Sequence, residues 1–480
     1  MLSATPPDAR TWRGADLAIA FGAAVALGLI GVLALQGPGL VALLPAAVLG
    51  FAAVLVLIRL PDLHRLAVVL ALGTLTFNYE EGVQITEVLY GLLVYGYLAH
   101  WYLTYLLGQR RLLRSSSDTV AALFIVGAIF GGTALGFLFG ANLTDLRGEI
   151  LGISAFLFYF PVKEAIVREE KGATVVAFVL VWFGVFAAIR LGLLFHSVLT
   201  GATEWWQILD ARVSAGEVHF MAGFLCIAAM VTTARGRKLL LAIAITALIV
   251  VGLILAKSRG PWLATALGTV VMLALLPWAP RRRFVFAMAA VVAVGGIAAF
   301  VFLGDSVNLI LLGLTKRLGS IGGAATQDPS LLNRWAESGG ALARIRTNPV
   351  LGYGWGISIP YHSLLQMGRV TGSFLHNGYI ALWVKVGIWG LGLFIWLLLG
   401  AFLGGARAAR ARVLTPTQRA LGASAAGGAI AFAFLTFLSN PLLLQDQMTT
   451  FTVLLALAHG LAQRADRLST SALSPLPYSS

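Results

Sequence analysis

A series of apolar runs that recurs along the whole chain is the feature that most constrains its fold. Many of these runs approach the ~20 residues that an α-helix needs to cross a bilayer. Hydrophobic residues make up 59% of the chain and charged residues only 11%, which is too apolar for a soluble protein with a hydrated surface. The sequence therefore predicts an all-α, polytopic membrane bundle of about 12–14 transmembrane helices.

The apolar runs also suggest how the chain is divided. Candidate spans lie at residues 15–36, 40–58, 66–77, 86–107, 119–140, 149–165, 173–196, 219–234, 239–256, 262–280, 285–304, 377–403, 420–438 and 449–463. The runs 66–77 and 149–165 are short for a span, so a count of about twelve is the main alternative. The predicted divisions are a cytoplasmic segment (1–14), the first eleven helices (15–304), a periplasmic loop (305–376), the C-terminal helices (377–463) and a disordered cytoplasmic tail (464–480).

The net charge of +14 is explained by membrane topology. The basic residues form short clusters between apolar runs, such as Arg281–Arg283, and they do not form one basic stripe with interleaved aromatics. By the positive-inside rule this pattern places both termini in the cytoplasm, and it predicts membrane lipids and no nucleic acid as partners. The single cysteine, Cys226, lies in an apolar run, which excludes a disulfide framework and a Cys-based metal site.

The long segment from Asp305 to Leu375 breaks the pattern of short loops. Its apolar residues have helical spacing from Leu331 to Ile345, with a start signal at 328–330 and a stop at Asn348-Pro349. The glycines of "GYGWG", Gly352–Gly356, indicate a turn with close backbone approach, because no strand precedes them as in a nucleotide-binding loop. We expect an amphipathic helix and a Gly-rich turn above the bundle.

Arginines gather on the predicted periplasmic side, where the positive-inside rule does not require them. They are Arg190, Arg259, Arg334, Arg344, Arg346 and Arg369. A guanidinium near the membrane is costly and faces a partner or a cavity. Ion pairs with carboxylates on the same side, among them Glu217 and Glu337, are one explanation. A phosphate-bearing ligand is the other, and for the set it is favoured because the guanidinium fork matches phosphate oxygens.

His376 precedes a long apolar run in "FLHNGYIALWVKVGIWG". An imidazole changes its protonation state near neutral pH, so a histidine beside arginines is suited to take a proton during group transfer. A structural role at the helix start is the simpler alternative. Metal binding by His196, His219, His362 and His376 is a third possibility, but their spacing matches no metal motif.

A secondary transporter is the rival from another functional class, since arginines in the membrane and broken helices are also expected there. Two features count against it. No inverted repeat is visible in the sequence, and the polar residues concentrate on one face and not at the midplane. A flippase for a lipid-linked glycan is a related form of this rival.

Several motifs in the order "SRG", "NRW", "NPVLGYGWG" and "HNGYIALWVKVGIWG" resemble the O-antigen ligase and polymerase superfamily of bacterial envelope glycosyltransferases. The resemblance covers roughly Leu255 to Phe394. It implies a multi-pass inner-membrane enzyme with a GT-C-like helical architecture and no metal or other cofactor. Such an enzyme takes its glycan from undecaprenyl diphosphate on the periplasmic side.

The resemblance also implies residue roles. Arg259 and Arg334 match the arginines that would stabilise the departing diphosphate, and His376 matches the histidine that would deprotonate the acceptor hydroxyl. Arg344 and Arg346 lie on the same predicted helix as Arg334, which leaves the second assignment open. The further substrate-binding candidates are Arg190, Arg344, Arg346, Asn377 and Tyr379.

The acceptor separates the members of the superfamily. It is a sugar hydroxyl of lipid A–core in the ligases and the growing repeat-unit chain in the polymerases, and protein acceptors are a third type. The arginine-rich surface favours the ligase, because lipid A–core carries phosphates.

Overall fold

The computed structural model describes most of the chain after residue 59. The described residues are 60–76, 85–108, 111–201, 216–303, 329–363, 365–473 and a few isolated positions between 308 and 319. They are predominantly helical, so the predicted all-α membrane fold is confirmed. The predictions that lie outside the described residues concern the segment 1–14, the spans 15–36 and 40–58, most of 305–328 and the last residues, 474–480.

The chain divides into two compact units, Met1–Leu112 and Leu113–Ser480. The described part of the first unit contains α1 (Asp62–Ala71) and α2 (Ile85–Leu107), with a 3₁₀ turn directly after α1. The Tyr90 hydroxyl of α2 donates a hydrogen bond to the Val69 carbonyl of α1 at 3.1 Å. Helix α2 matches the predicted run 86–107.

The second unit holds the remaining elements. In chain order they are α3 (Ser116–Leu138), α4 (Leu143–Arg168), α5 (Gly172–Gly201), α6 (Glu217–Thr233), α7 (Arg237–Leu255), α8 (Arg259–Leu275), α9 (Trp278–Leu303), α10 (Pro329–Thr347), β1 (Ile359–Ser363), β2 (Gly368–Gly372), α11 (Gly378–Arg410), α12 (Pro416–Leu438) and α13 (Gln445–Leu473). By length and composition, six helices of the described part can cross a membrane: α3, α4, α5, α7, α11 and α12. The chain is therefore a membrane protein, whereas its total number of spans stays a prediction.

Helix α12 is the centre of the second unit. It begins at Pro416, because Thr415 and Gln418 form a capping box and a proline suits the first helical turn. It packs against α6, α8, α11 and α13 with a sequence rich in Ala and Gly. A Cβ on Gly427 would lie only 2.3 Å from the Gly268 carbonyl oxygen of α8. Small residues thus let the helix backbones approach closely, as is usual in membrane bundles.

An ion pair inside the bundle joins α4 to α11. The Lys385 ammonium contacts the Glu149 carboxylate, and both side chains are buried. The second carboxylate oxygen of Glu149 accepts the Gly356 N–H at 2.7 Å. The Gly354 N–H donates to the Lys385 carbonyl at 2.8 Å, close to Gly387, where α11 is interrupted with φ +76°. The Gly-rich turn therefore satisfies the backbone of a broken membrane helix from inside the protein.

The turn itself fits between α3 and α4 because its glycines lack side chains. Gly354 has φ +85°, and a Cβ there would lie 1.8 Å from the Gly136 backbone nitrogen. The Trp355 ring is buried beside it, and its Nε1–H donates to the Ala128 carbonyl at 2.5 Å. This carbonyl belongs to a π-helical turn of α3. The predicted close backbone approach of "GYGWG" is confirmed.

We expect Gly354→Ala to lower the thermal stability of the protein strongly. The new Cβ would clash with backbone, and a non-glycine residue at this φ adds roughly 1–3 kcal/mol of strain. The measurement is the melting temperature in detergent, followed by fluorescence-detected size exclusion. Gly339→Ala in α10 is the matched control, because a Cβ there meets nothing within 4 Å. Equal melting temperatures for the two variants would contradict a close-packed turn.

The segment 305–376 differs from its prediction in two respects. Helix α10 is longer at both ends than the predicted Leu331–Ile345, and it is followed by an antiparallel hairpin that the sequence did not indicate. The strands are short and contain Pro360, Gly368 and Gly372. Proline and glycine have low strand propensity, so the sequence lacks the alternation of residue types that usually indicates a strand.

The predicted disordered tail begins too early. Helix α13 continues to Leu473, ten residues beyond the predicted end of the last span at 463. The hydroxyls of Ser469, Thr470 and Ser471 each donate to the carbonyl four residues earlier. Polar residues of this kind extend a helix without extending an apolar run, so the hydropathy pattern could not show it.

Candidate functional site

Three of the motifs singled out in the sequence meet at the C-terminal end of α12. The Arg334 guanidinium donates to the Leu438 carbonyl at 2.8 Å. Gly260 of "SRG" packs against the same residue, since a Cβ there would lie 3.7 Å from the Leu438 Cδ1. Gly378, two residues after His376, donates its N–H to the Ser439 carbonyl at 3.3 Å. Motifs that are far apart in the chain are therefore neighbours around Leu438 and Ser439.

Arg259 is the first residue of α8. The chain reverses before it at Lys257, whose φ is +47°, and Ser258 then occupies the N-cap position. The Ser258 hydroxyl donates to the Glu217 carboxylate at the start of α6, at 3.0 Å. The half-buried Arg259 side chain therefore starts at the positive end of a helix dipole, a location that favours anions.

Among the arginines of α10, Arg334 is the one that reaches the end of α12. Arg344 and Arg346 lie about 15 and 18 Å further along the helix axis, at 1.5 Å per residue. The Arg344 guanidinium packs over the Tyr353 ring, 4.6 Å from its centroid, and Arg346 is exposed. The geometry thus supports Arg334 as the second arginine of the motif order. The contact with the Tyr353 ring favours a packing role for Arg344. The predicted substrate contacts of Arg344 and Arg346 stay untested.

His376 lies between the hairpin and α11 and contacts Glu337 of α10. The distance from its Nδ1 to the Glu337 Oε2 is 2.7 Å. The imidazole is 36% exposed, whereas the carboxylate is 5% exposed. The Phe374 ring packs edge-on against the imidazole with centroids 5.2 Å apart. The histidine is therefore held on one side and accessible on another.

Glu337 belongs to a polar cluster beneath the hairpin. Its Oε1 accepts a hydrogen bond from the Asn333 amide at 3.2 Å, and the Asn333 Oδ1 accepts one from the Ser363 hydroxyl at 3.0 Å. Burial and the Glu337 charge raise the pKa of the neighbouring Tyr361 phenol above its ordinary value. The cluster connects α10, the hairpin and the His376 backbone.

Asn377 and Tyr379 have structural contacts. The Asn377 side chain caps α11 by accepting the N–H groups of Tyr379 and Ile380, each at 3.1 Å. The Tyr379 hydroxyl donates to the Ala433 carbonyl of α12 at 2.8 Å. These contacts explain why α11 begins directly after His376, and they favour a supporting role for both residues over the predicted substrate contact.

Arg190 lies in α5 and is half-buried. Five residues later, the Phe195 ring contacts the Lys257 ammonium at 5.5 Å. This part of α5 is therefore next to the turn that precedes Arg259. The predicted contact of Arg190 with a second phosphate stays a prediction.

The histidines do not assemble into a metal site in the part of the chain that the structure describes. His219 is buried between Thr450 and Asp446, at 2.6 and 3.1 Å, while His376 contacts Glu337. The described residues contain no group of three or more His, Cys, Asp or Glu that could hold a metal ion. Metal-independent chemistry stays a prediction.

Sequence reasoning missed two parts of the site. Glu337 was only one of several carboxylates that could neutralise arginines, although its position three residues after Arg334 places it on the same helix. Leu438 and Ser439 carried no signal, because they contribute backbone carbonyls.

The residues of the site fall largely within one known domain. The O-antigen ligase family model matches residues 244–395. This segment is similar to the O-antigen ligase domain. The match covers just under a third of the 480 residues and confirms the resemblance; a comparison with curated proteins finds no match.

The matched segment includes Arg259, Arg334, Glu337 and His376. Arg190 precedes it, and the end of α12 follows it. The matched family consists of glycosyltransferase-like enzymes of the ligase and polymerase type, which act on lipid-linked glycans in a membrane context.

Proposed function

We propose that this protein transfers a glycan from undecaprenyl diphosphate to a sugar hydroxyl of lipid A–core, on the periplasmic face of the bacterial inner membrane. The observation that carries the proposal is the meeting of Arg334, the "SRG" turn and the residues after His376 at the end of α12. A cationic group for a diphosphate and a base for a hydroxyl are the two requirements of such a transfer. Both termini are cytoplasmic in this orientation.

The arginines and the histidine have different roles in the reaction. The acceptor oxygen attacks the anomeric carbon while the bond from that carbon to the diphosphate oxygen breaks. The diphosphate leaves with the electron pair, and Arg259 and Arg334 stabilise its growing charge more in the transition state than in the ground state. His376 takes the hydroxyl proton on Nε2. In-line attack gives inversion at the anomeric centre, and the step needs no metal or nucleotide.

The choice of lipid A–core rests on charge. The exposed Arg346 and Arg369 add positive charge to the segment that precedes His376, and lipid A–core carries phosphates. The main alternative is a polymerase that joins repeat units on undecaprenyl diphosphate, and a protein acceptor is a further one. A transporter of the lipid-linked glycan is the non-enzymatic alternative.

The test is transfer in vitro with the purified full-length protein and undecaprenyl diphosphate–linked glycan, without added metal. One reaction contains lipid A–core and a second contains only more donor. Capped lipid A–core supports the proposal, and longer lipid-linked chains support the polymerase instead. No product from folded protein in either reaction would overturn both enzyme functions and favour a protein acceptor or transport.

Arg334→Ala should lower kcat/KM in this assay by roughly 10²-fold or more, the size of effect found when one preorganised charge-stabilising group is lost. Arg237→Ala is the control, because it removes the same kind of side chain from an exposed position at the start of α7, and it should stay within about threefold. An equal loss of kcat/KM in both variants would show that the arginines act only through a general electrostatic attraction for the donor.

A further inference from the structure

We propose that Glu337 positions His376 for catalysis by fixing which imidazole nitrogen carries the proton. This inference rests on the proposed function. It assigns a role to a carboxylate that neither the motif order nor the family match identifies. Glu337 does not touch the substrate in this role; it acts through the histidine.

The contact itself sets the tautomer. An ionised carboxylate can only accept hydrogen bonds, so the nitrogen facing it must donate. The Glu337 Oε2 lies 2.7 Å from the His376 Nδ1 and 3.4 Å from the His376 backbone nitrogen. The neutral imidazole therefore carries its proton on Nδ1, and the lone pair on Nε2 is available for a proton from the acceptor.

The residues behind Glu337 orient a further hydrogen-bond donor toward its carboxylate. The Gln366 backbone N–H, which can only donate, contacts the Ser363 Oγ at 3.1 Å. The Ser363 hydroxyl donates to the Asn333 Oδ1, and this leaves the Asn333 NH₂ to donate to the Glu337 Oε1. The His376 Nδ1–H, the His376 backbone N–H and the Asn333 NH₂ thus donate to one buried carboxylate, to which the Tyr361 phenol is also hydrogen-bonded. A carboxylate at position 337 can accept all of these hydrogen bonds, whereas an amide of the same shape replaces one acceptor oxygen with an NH₂ donor.

Glu337→Gln is the informative substitution. The glutamine amide has one oxygen and one NH₂, so it cannot accept from both Asn333 and His376 as the carboxylate does. When its oxygen faces the Asn333 NH₂, its NH₂ faces the His376 Nδ1, and the imidazole then carries its proton on Nε2 and can no longer take one from the acceptor. When its oxygen faces His376, the amide lacks the negative charge that would stabilise the imidazolium formed during transfer. We expect kcat to fall by roughly 10²-fold or more, with KM within about threefold, since the substrate contacts are retained.

Three further variants distinguish positioning from a structural role. Glu337→Asp keeps an acceptor-only group and should be at least ~10-fold more active than Glu337→Gln. In a His376→Ala background, Glu337→Gln should cause no further loss of the residual rate, because both changes remove the same function. Glu164→Gln is the control: it neutralises a carboxylate near the end of α4 that is ion-paired with Arg114 and Arg168, and it should have wild-type activity.

The outcomes separate the two proposals. A wild-type kcat in Glu337→Gln, equal losses in Glu337→Gln and Glu337→Asp, or a multiplied loss in the His376→Ala background would each overturn the positioning role alone. The melting temperature of each variant is measured in the same detergent, and Glu337→Asp carries the test if Glu337→Gln does not fold. Absence of product from the wild-type protein would instead overturn the proposed function itself.

Discussion

His376→Ala should lower the rate of glycan transfer by roughly 10²–10⁴-fold, the contribution of a well-placed general base. The variant should still insert and fold, because His376 is partly exposed and α11 is capped by Asn377 and not by the imidazole. The measurement is kcat and KM for transfer from undecaprenyl diphosphate–linked glycan, together with the melting temperature in detergent. The loss should appear in kcat, because the histidine acts on a proton that moves only in the transition state.

His362→Ala is the control for this prediction. His362 lies on the same loop, is exposed, and is opposite Arg369 in the hairpin. Its removal tests whether any histidine of the segment matters for folding or for general electrostatics. Normal transfer by His376→Ala would rule out the base, and an equal loss in His362→Ala would show that the hairpin and not the imidazole was disturbed.

Hydropathy predicted several helices well, because a helix that crosses a bilayer needs about 20 predominantly apolar residues in a row. The runs 86–107, 239–256 and 420–438 agree with α2, α7 and α12 to within a few residues. The run 149–165 was too short, because α4 has polar residues in its terminal turns, among them Asp145 and Glu164. Such residues shorten an apolar run without ending a helix.

Tertiary contacts explain what hydropathy could not predict. The interruption of α11 at Gly387 is stabilised by residues 349–356. Their N–H and carbonyl groups form hydrogen bonds with the backbone groups of α11 that the interruption leaves without helical partners. The short hairpin likewise depends on its packing against α10, because the residues of its two strands have low β-strand propensity. In both cases the stabilising partner is distant in sequence, so no local pattern carries the information.

The sequence draws attention to the charged residues of the candidate site and not to the residues that support them. Arg259, Arg334 and His376 stand out because a charge or an imidazole is unusual next to apolar runs. Glu337 does not stand out, since a carboxylate on an amphipathic helix is ordinary, and only the fold shows that it faces His376. The end of α12 contributes carbonyls, which every residue has, so its role is visible only in three dimensions.

The second large effect is expected for Lys385→Met, which should destabilise the protein by roughly 3–5 kcal/mol, the cost of removing one partner from a buried ion pair. Methionine fills a similar volume, so the change isolates the charge. It leaves the buried Glu149 carboxylate without its cation, although the carboxylate still accepts the Gly356 N–H. Because Gly356 belongs to the turn that stabilises the interruption of α11, the loss should spread to the loop that ends at His376.

A double variant separates the charge from the packing. Glu149→Gln in the Lys385→Met background removes the uncompensated charge and keeps an oxygen for the Gly356 N–H, so it should recover most of the lost stability. Lys238→Met is the control for loss of a lysine at an exposed position of α7 and should have a nearly wild-type melting temperature. If the double variant were less stable than Lys385→Met, the two side chains would contribute independently, and the ion pair would not be what holds the Gly-rich turn against α11.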